Sequence, residues 1–146
     1  MIKTKLYIEK YDWVVTAYVA VTHYETDQIL FDLRRIGCSG DTYDKAEGKL
    51  RENEINSGLT YSSKTDRESV MVTALSSSTK QQFNTICHEI CHVCAHIASV
   101  ENIDTTSEEF AYLVGDLSMD IFPDIKHLLC NGCRIKYYGR KNDIYV

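Results

Sequence analysis

The feature that most constrains this chain is the stretch from Ser76 to Val100. Ser76-Ser77-Ser78-Thr79 offers a run of hydroxyl N-caps, with Gln81 and Gln82 at capping-box distance. Phe83, Ile86, Ile90, Val93, Ile97 and Val100 then recur in steps of three and four. Such a seam commits one face of a helix to a core. The pattern predicts a helix from about 79 to 100, and the fold must supply a layer to cover it. With 146 residues the chain has room for one core and not for two, so a single domain over 1–146 is expected.

The other elements follow from shorter signals. Residues 5–9 and 13–22 are rich in Tyr, Val, Ile and Thr around a polar break at Tyr11-Asp12, which predicts a hairpin. From Asp27, the residues Ile29, Leu30, Leu33 and Ile36 keep helical spacing, and Gly37 supplies a stop. Residues 38–58 mix Gly, Asp, Asn and charge, with a short helix near Lys45 to Asn53 ending at Ser57-Gly58. Leu59–Ser63 and Ser69–Leu75 read as a second hairpin across the polar run 64–68. A further helix starts after Asp104-Thr105-Thr106-Ser107, with Phe110, Leu113, Val114, Leu117 and Ile121 as its stripe and Pro123 at its expected end. The sum is an α+β domain: a small, mostly antiparallel sheet of about four strands packed on the long helix and the one after it.

Composition narrows the partners. A net charge of −5 argues against a protein that grips phosphate backbones, so no nucleic-acid partner is expected. No stretch approaches the roughly 18 apolar residues of a membrane span, and the N-terminus lacks a signal-peptide core. A cytoplasmic protein without membrane attachment is the expectation. The six cysteines then read as reduced thiols or metal ligands rather than a disulfide framework.

Within the long helix stands His88-Glu89-Ile90-Cys91-His92. Two histidines four apart share a helix face and can offer two imidazole nitrogens to one Zn2+ ion. Glu89, rotated about 100° from His88, lies beyond coordination but close enough to take a proton from metal-bound water, the role of a general base. A catalytic zinc keeps three protein ligands and one open position. His96 continues the spacing but lies a turn too far along the same helix to share the centre. Of the two carboxylates that open the next helix, Glu109 aligns with Asp116 and Asp120 on an acidic face and stands three after Thr106, as a capping-box partner does. Glu108 shares a face with Ala111 and Gly115, small residues that would let the helices approach. Glu108 is therefore the expected third ligand beside His88 and His92.

His88-Glu89-x-x-His92 followed by Glu108-x-x-Ala111-Tyr112-Leu113 resembles the gluzincin arrangement of zinc peptidases, most of all small phage-encoded and bacterial zincin-like proteins. The likeness covers roughly Asn84 to Leu117 and, more loosely, Tyr61 to Thr79. It implies a minimal zincin-like core, zinc-dependent cleavage of protein or peptide substrates, and an edge strand, here Val70 to Ala74, against which an extended substrate lies. The metzincin pattern is excluded, since its third histidine would fall at Ala98 and its glycine at Ala95. Cys91 and Cys94 depart from the Gly, Ala or aliphatic residues more usual beside the ligands.

Other readings compete. Cys87, Cys91 and Cys94 form a flank that core packing explains better than function. Tyr112, Tyr137 or Tyr138 could stabilise an oxyanion, although core or surface roles suit them better. Cys130-Asn131-Gly132-Cys133 is half a zinc knuckle without an evident second half. As a redox motif it should open a helix after a strand, whereas it follows a helix. A nucleobase deaminase would place its glutamate two after a single histidine and a proline before the thiol pair, against His88-Glu89 and Leu129-Cys130 here. The alternatives to a peptidase are a non-catalytic binding module stabilised by zinc, with Cys87 or Cys91 closing the metal sphere, and a metalloprotease with a C-terminal zinc-ribbon-like element.

Overall fold

A computed structural model of the chain describes residues 1–52 and 58–138. The expected first hairpin is present: β1 (Ile2–Ile8) runs antiparallel to β2 (Trp13–Val21), Ile2 opposite Val19 and Ile8 opposite Trp13. Between them a single 3-10 turn reverses the chain, closed by Asp12 at φ +47°. Along β1 burial alternates with exposure, the pattern of an outer strand with one covered face, whereas β2 is buried at eight of its nine positions.

The segment from β2 leads into α1 (Thr26–Arg35), stopped at Gly37 with φ +93° as expected, and then α2 (Gly40–Arg51). The second of these begins five residues before the expected Lys45; the expected end at Asn53 and Ser57 falls outside the described residues. Next come β3 (Leu59–Ser63) and β4 (Glu68–Ala74), antiparallel with Leu59 opposite Val72. β4 also pairs with β2, in parallel, from Val14 opposite Glu68 to Tyr18 opposite Val72. The crossover through α1 and α2 makes that parallel pairing possible.

Strand order among the described residues is thus β1-β2-β4-β3, a mixed four-stranded sheet in an α+β fold. One expectation changes here. Val70–Ala74 belongs to an interior strand, and the edge on that side is β3. The sequence carries the reason: Val70-Met71-Val72 is an unbroken apolar run, buried on both faces, while every residue of β3 is half-exposed.

Helices cover both faces of the sheet. On one face α1 and α2 pack Ile29, Leu33, Ile36 and Leu50 onto Tyr18, Val70 and Val72. On the other, α3 (Thr79–Glu101) and α4 (Glu108–Ile125) pack Ile86, Ile90, Val93, Ile97, Leu113, Leu117 and Ile121 onto Trp13, Val15, Ala17, Val19 and Met71. Burying a side chain such as Leu or Ile is worth about 1.5–3 kcal/mol, so this layer fixes where α3 lies.

The start of α3 is tied to the sheet. Ser78 Oγ accepts the N–H of Gln81 at 3.1 Å. Gln82, fully buried, donates to the carbonyl of Ala74 at 3.1 Å and accepts the N–H of Ser76 at 2.9 Å. That amide takes the inward place the apolar spacing gives to Phe83, which is 55% exposed. Asn102, at φ +57°, closes the helix. In α4 the N-cap is Ser107, whose Oγ accepts the N–H of Phe110 at 3.2 Å. Pro123 lies inside α4 rather than ending it, because Ile125, and Leu128 in the 3-10 turn beyond, still pack into the core. A further helix, α5 (Asn131–Tyr138), follows. Among the described residues no helix is long and apolar enough to cross a membrane.

Candidate metal centre on the long helix

With Ile86, Ile90, Val93 and Ile97 turned into the core, the helical repeat turns His88 and His92 outward, and both are exposed. One turn apart, their rings meet edge to face with centroids 4.7 Å apart. The Nε2 atoms approach to 3.1 Å. Two zinc ligands at about 2.0–2.1 Å from a tetrahedral ion lie about 3.3 Å from each other, so the two imidazoles present a bite of the right size.

Glu89 faces inward. It is 2% exposed; Oε2 accepts the hydroxyl of Thr60 at 2.6 Å, and Oε1 lies 4.0 Å from His88 Nε2. A buried carboxylate needs hydrogen bonds or a positive charge beside it, and Thr60 supplies one such bond. A cation held by the imidazole pair would supply the charge, so these residues fit a metal ion on the donor chemistry they show.

Gly58, just before β3, makes this packing possible. Its φ is +146°, and a Cβ there would stand 2.5 Å from the carbonyl oxygen of Val72 and 2.8 Å from Glu89 Oε1. Only glycine allows both the backbone angle and the approach. Gly58→Ala is expected to lower stability by about 2–4 kcal/mol in denaturant titration, the range of strain plus overpacking, because the obstructing Val72 oxygen is backbone and cannot swing aside. A loss below about 0.5 kcal/mol would show that Gly58 does not set this contact.

His96, the next histidine along the helix, is engaged elsewhere. Trp13 Nε1, which can only donate, gives its hydrogen to Ser69 Oγ at 2.9 Å; Ser69 Oγ lies 2.7 Å from Ser62 Oγ, and Ser62 Oγ 2.7 Å from His96 Nδ1. Running from Trp13 to His96, each hydroxyl accepts once and donates once, and the buried Ser69 keeps no unpaired proton. A neutral His96 ring with its proton on Nε2 lets Nδ1 accept the last proton of this chain. Burial, then the neighbouring His92 and Lys64, hold the imidazole below its ordinary pKa and favour that neutral form. His96 Nδ1 is thus engaged with β3 rather than with His88 and His92.

The structure does not bring the third expected ligand in. Glu108 lies exposed in the first turn of α4, on the helix that packs beside α3. Among the described residues, no group of three or more His, Cys, Asp or Glu side chains is arranged to hold a metal ion. Neither Glu108 nor a thiol completes the pair. Nor do the small residues serve a close helix approach, since Ala111 and Gly115 are exposed and a Cβ at Gly115 would meet nothing within 4 Å. Glu109 has the structural role expected, though through other partners than a capping box: it accepts from Tyr11 Oη at 2.8 Å and pairs with Lys10 at 3.4 Å.

The cysteine flank of α3 is less buried than expected. Cys94 lies in the core, where burial, with Cys91 nearby, pushes its thiol up to about 12, but Cys87 and Cys91 are exposed because they fall outside the Ile86–Ile90–Val93–Ile97 seam. Tyr112 is exposed; the side chains of Tyr137 and Tyr138 lie outside the described set.

Gly58, Thr60 and Ser62 were not singled out from sequence. Thr60 and Ser62 alternate on one face of β3, which a two-residue period does show. That this face meets Glu89 and His96 depends on the sheet order. Comparison with protein-family models, with curated proteins and with solved structures found no match.

Proposed function

We propose that the chain is a zinc-dependent hydrolase of the zincin-like kind, a metallopeptidase that cleaves peptide bonds. The observation that carries this reading is the convergence of His88 and His92 Nε2 at 3.1 Å with the buried Glu89 carboxylate directly behind them. His88 and His92 would hold the ion; by the gluzincin resemblance Glu108, exposed on the neighbouring helix, would have to move in to serve as third ligand. Bound zinc supplies Lewis acidity, polarising a carbonyl and lowering the pKa of water to about 7. Glu89 takes the proton of the attacking water and returns it to the leaving amine. Thr60 holds that carboxylate in place through the 2.6 Å hydrogen bond. The position of β3 at the sheet edge among the described residues supports a peptide as substrate, because an extended chain can add to such an edge by main-chain hydrogen bonds.

The test is metal content together with hydrolysis. The purified chain is expected to bind about one zinc ion and to cleave an unstructured protein substrate. Chelation should abolish cleavage and zinc should restore it. Failure to retain zinc at micromolar concentration, or cleavage indifferent to chelation, overturns the reading.

A further inference from the structure

We propose that Cys130 and Cys133 form a redox-active dithiol that closes reversibly to an intramolecular disulfide, with Cys130 as the attacking sulfur. Cys130 has extended backbone (φ −115°, ψ 122°) immediately before α5, and Cys133 is the third residue of that helix. The motif therefore does open a helix, which its place after an α-helix had counted against. The N–H of Cys133 points at Cys130 Sγ at 3.5 Å, so sulfur occupies the position of a capping oxygen. The Cys130 sulfur thus already stands against the residue that carries the second thiol, the approach a disulfide requires.

The turn is held at both ends of the motif. Asn131 Oδ1 accepts the hydroxyl of Thr79 at 3.0 Å, and Arg134 donates to the carbonyl of Ser76, tying α5 to the start of α3. Cys130 is exposed and Cys133 partly so, whereas Cys38 and Cys94 are buried. Cys87 and Cys91 are exposed, but they lie inside a helix whose N–H groups are already bonded along the chain. The N–H and thiol of Cys133, with the Gly132 N–H, hold the Cys130 thiol below its ordinary pKa, while bonding to Cys130 raises that of Cys133. Those are the properties of an attacking and a resolving thiol. A structural zinc would need two further ligands, and no such group stands here among the described residues.

The chemistry balances with a low-molecular-weight disulfide as oxidant. The Cys130 thiolate attacks one of its sulfurs, forming a mixed disulfide and releasing one thiolate, which takes a proton from water. Cys133 gives up its proton to solvent and attacks the Cys130 sulfur, expelling the second thiolate. Two protein thiols are oxidised and one disulfide is reduced. Nothing in this depends on the metal centre.

The full chain, equilibrated in glutathione buffers from reducing to oxidising, quenched with acid, alkylated and mapped by mass spectrometry, tests it. A Cys130–Cys133 bond is expected, with Cys87 and Cys91 still open to alkylation. Cys133→Ser should accumulate a glutathione adduct on Cys130, and Cys130→Ser should form neither bond nor adduct at the pair. In the reduced protein at neutral pH, Cys130 should alkylate about tenfold faster than Cys133. Absence of the bond in oxidised wild-type protein, equal reactivity of the two thiols, or protection of both by added zinc would each overturn the proposal.

Discussion

Replacing Glu89 by glutamine is expected to leave zinc bound and to lower the rate of peptide cleavage by about 10²–10⁴-fold, the range for a lost general base. Glutamine keeps the shape of the side chain and an oxygen that can still accept the Thr60 hydroxyl, now at 2.6 Å from the carboxylate. It cannot take up a proton. Packing in this region should therefore survive, which matters because Glu89 is 2% exposed and a truncated side chain would leave a cavity beside Gly58 and β3. The measurement is steady-state cleavage of a peptide by wild type and variant, each with zinc content determined on the same preparation. Activity within about tenfold of wild type would remove Glu89 from the chemistry. Loss of zinc from the variant would mean instead that the carboxylate belongs to the metal sphere.

The motif and the elements around it were legible because they rest on local periodicity. The seam of Ile86, Ile90, Val93 and Ile97 both defines α3 and forces His88 and His92 to the surface, so the core and the imidazole pair are read from one pattern. Sheet order was less accessible. Parallel pairing of β2 with β4 joins residues more than fifty positions apart, and only the unbroken Val70-Met71-Val72 run hints that this strand is interior. Once β4 is interior, β3 becomes the edge, and Thr60, Ser62 and Gly58 come to the centre by tertiary placement. Phe83 shows the limit of periodicity: a polar Gln82 won the inward position because its amide satisfies Ala74 and Ser76 at the β4–α3 turn. The same limit applies to Glu108, since counting helix faces says which residues share a side and not how far that side stands from its neighbour.

His88→Ala and His92→Ala are each expected to weaken zinc binding by more than about a hundredfold, beyond the roughly 10–100-fold cost of losing a group that only orients a ligand. The 3.1 Å approach of the two Nε2 atoms underlies this, because neither imidazole alone offers more than one donor. His96→Gln provides the contrast. Its Nδ1 is 2.7 Å from Ser62 Oγ, so the change should disturb the Trp13–Ser69–Ser62 chain and cost stability, with zinc affinity within about threefold of wild type. Glu108→Ala decides the third ligand. Coordination by Glu108 requires a loss comparable to those of the histidine variants, against little change for Glu109→Ala, whose carboxylate is occupied by Tyr11 and Lys10. Competitive titration against a chelating dye reads all five variants on one scale. Unchanged affinity in Glu108→Ala would leave a centre held by two imidazoles alone, and the exposed first turn of α4 would then have no part in it.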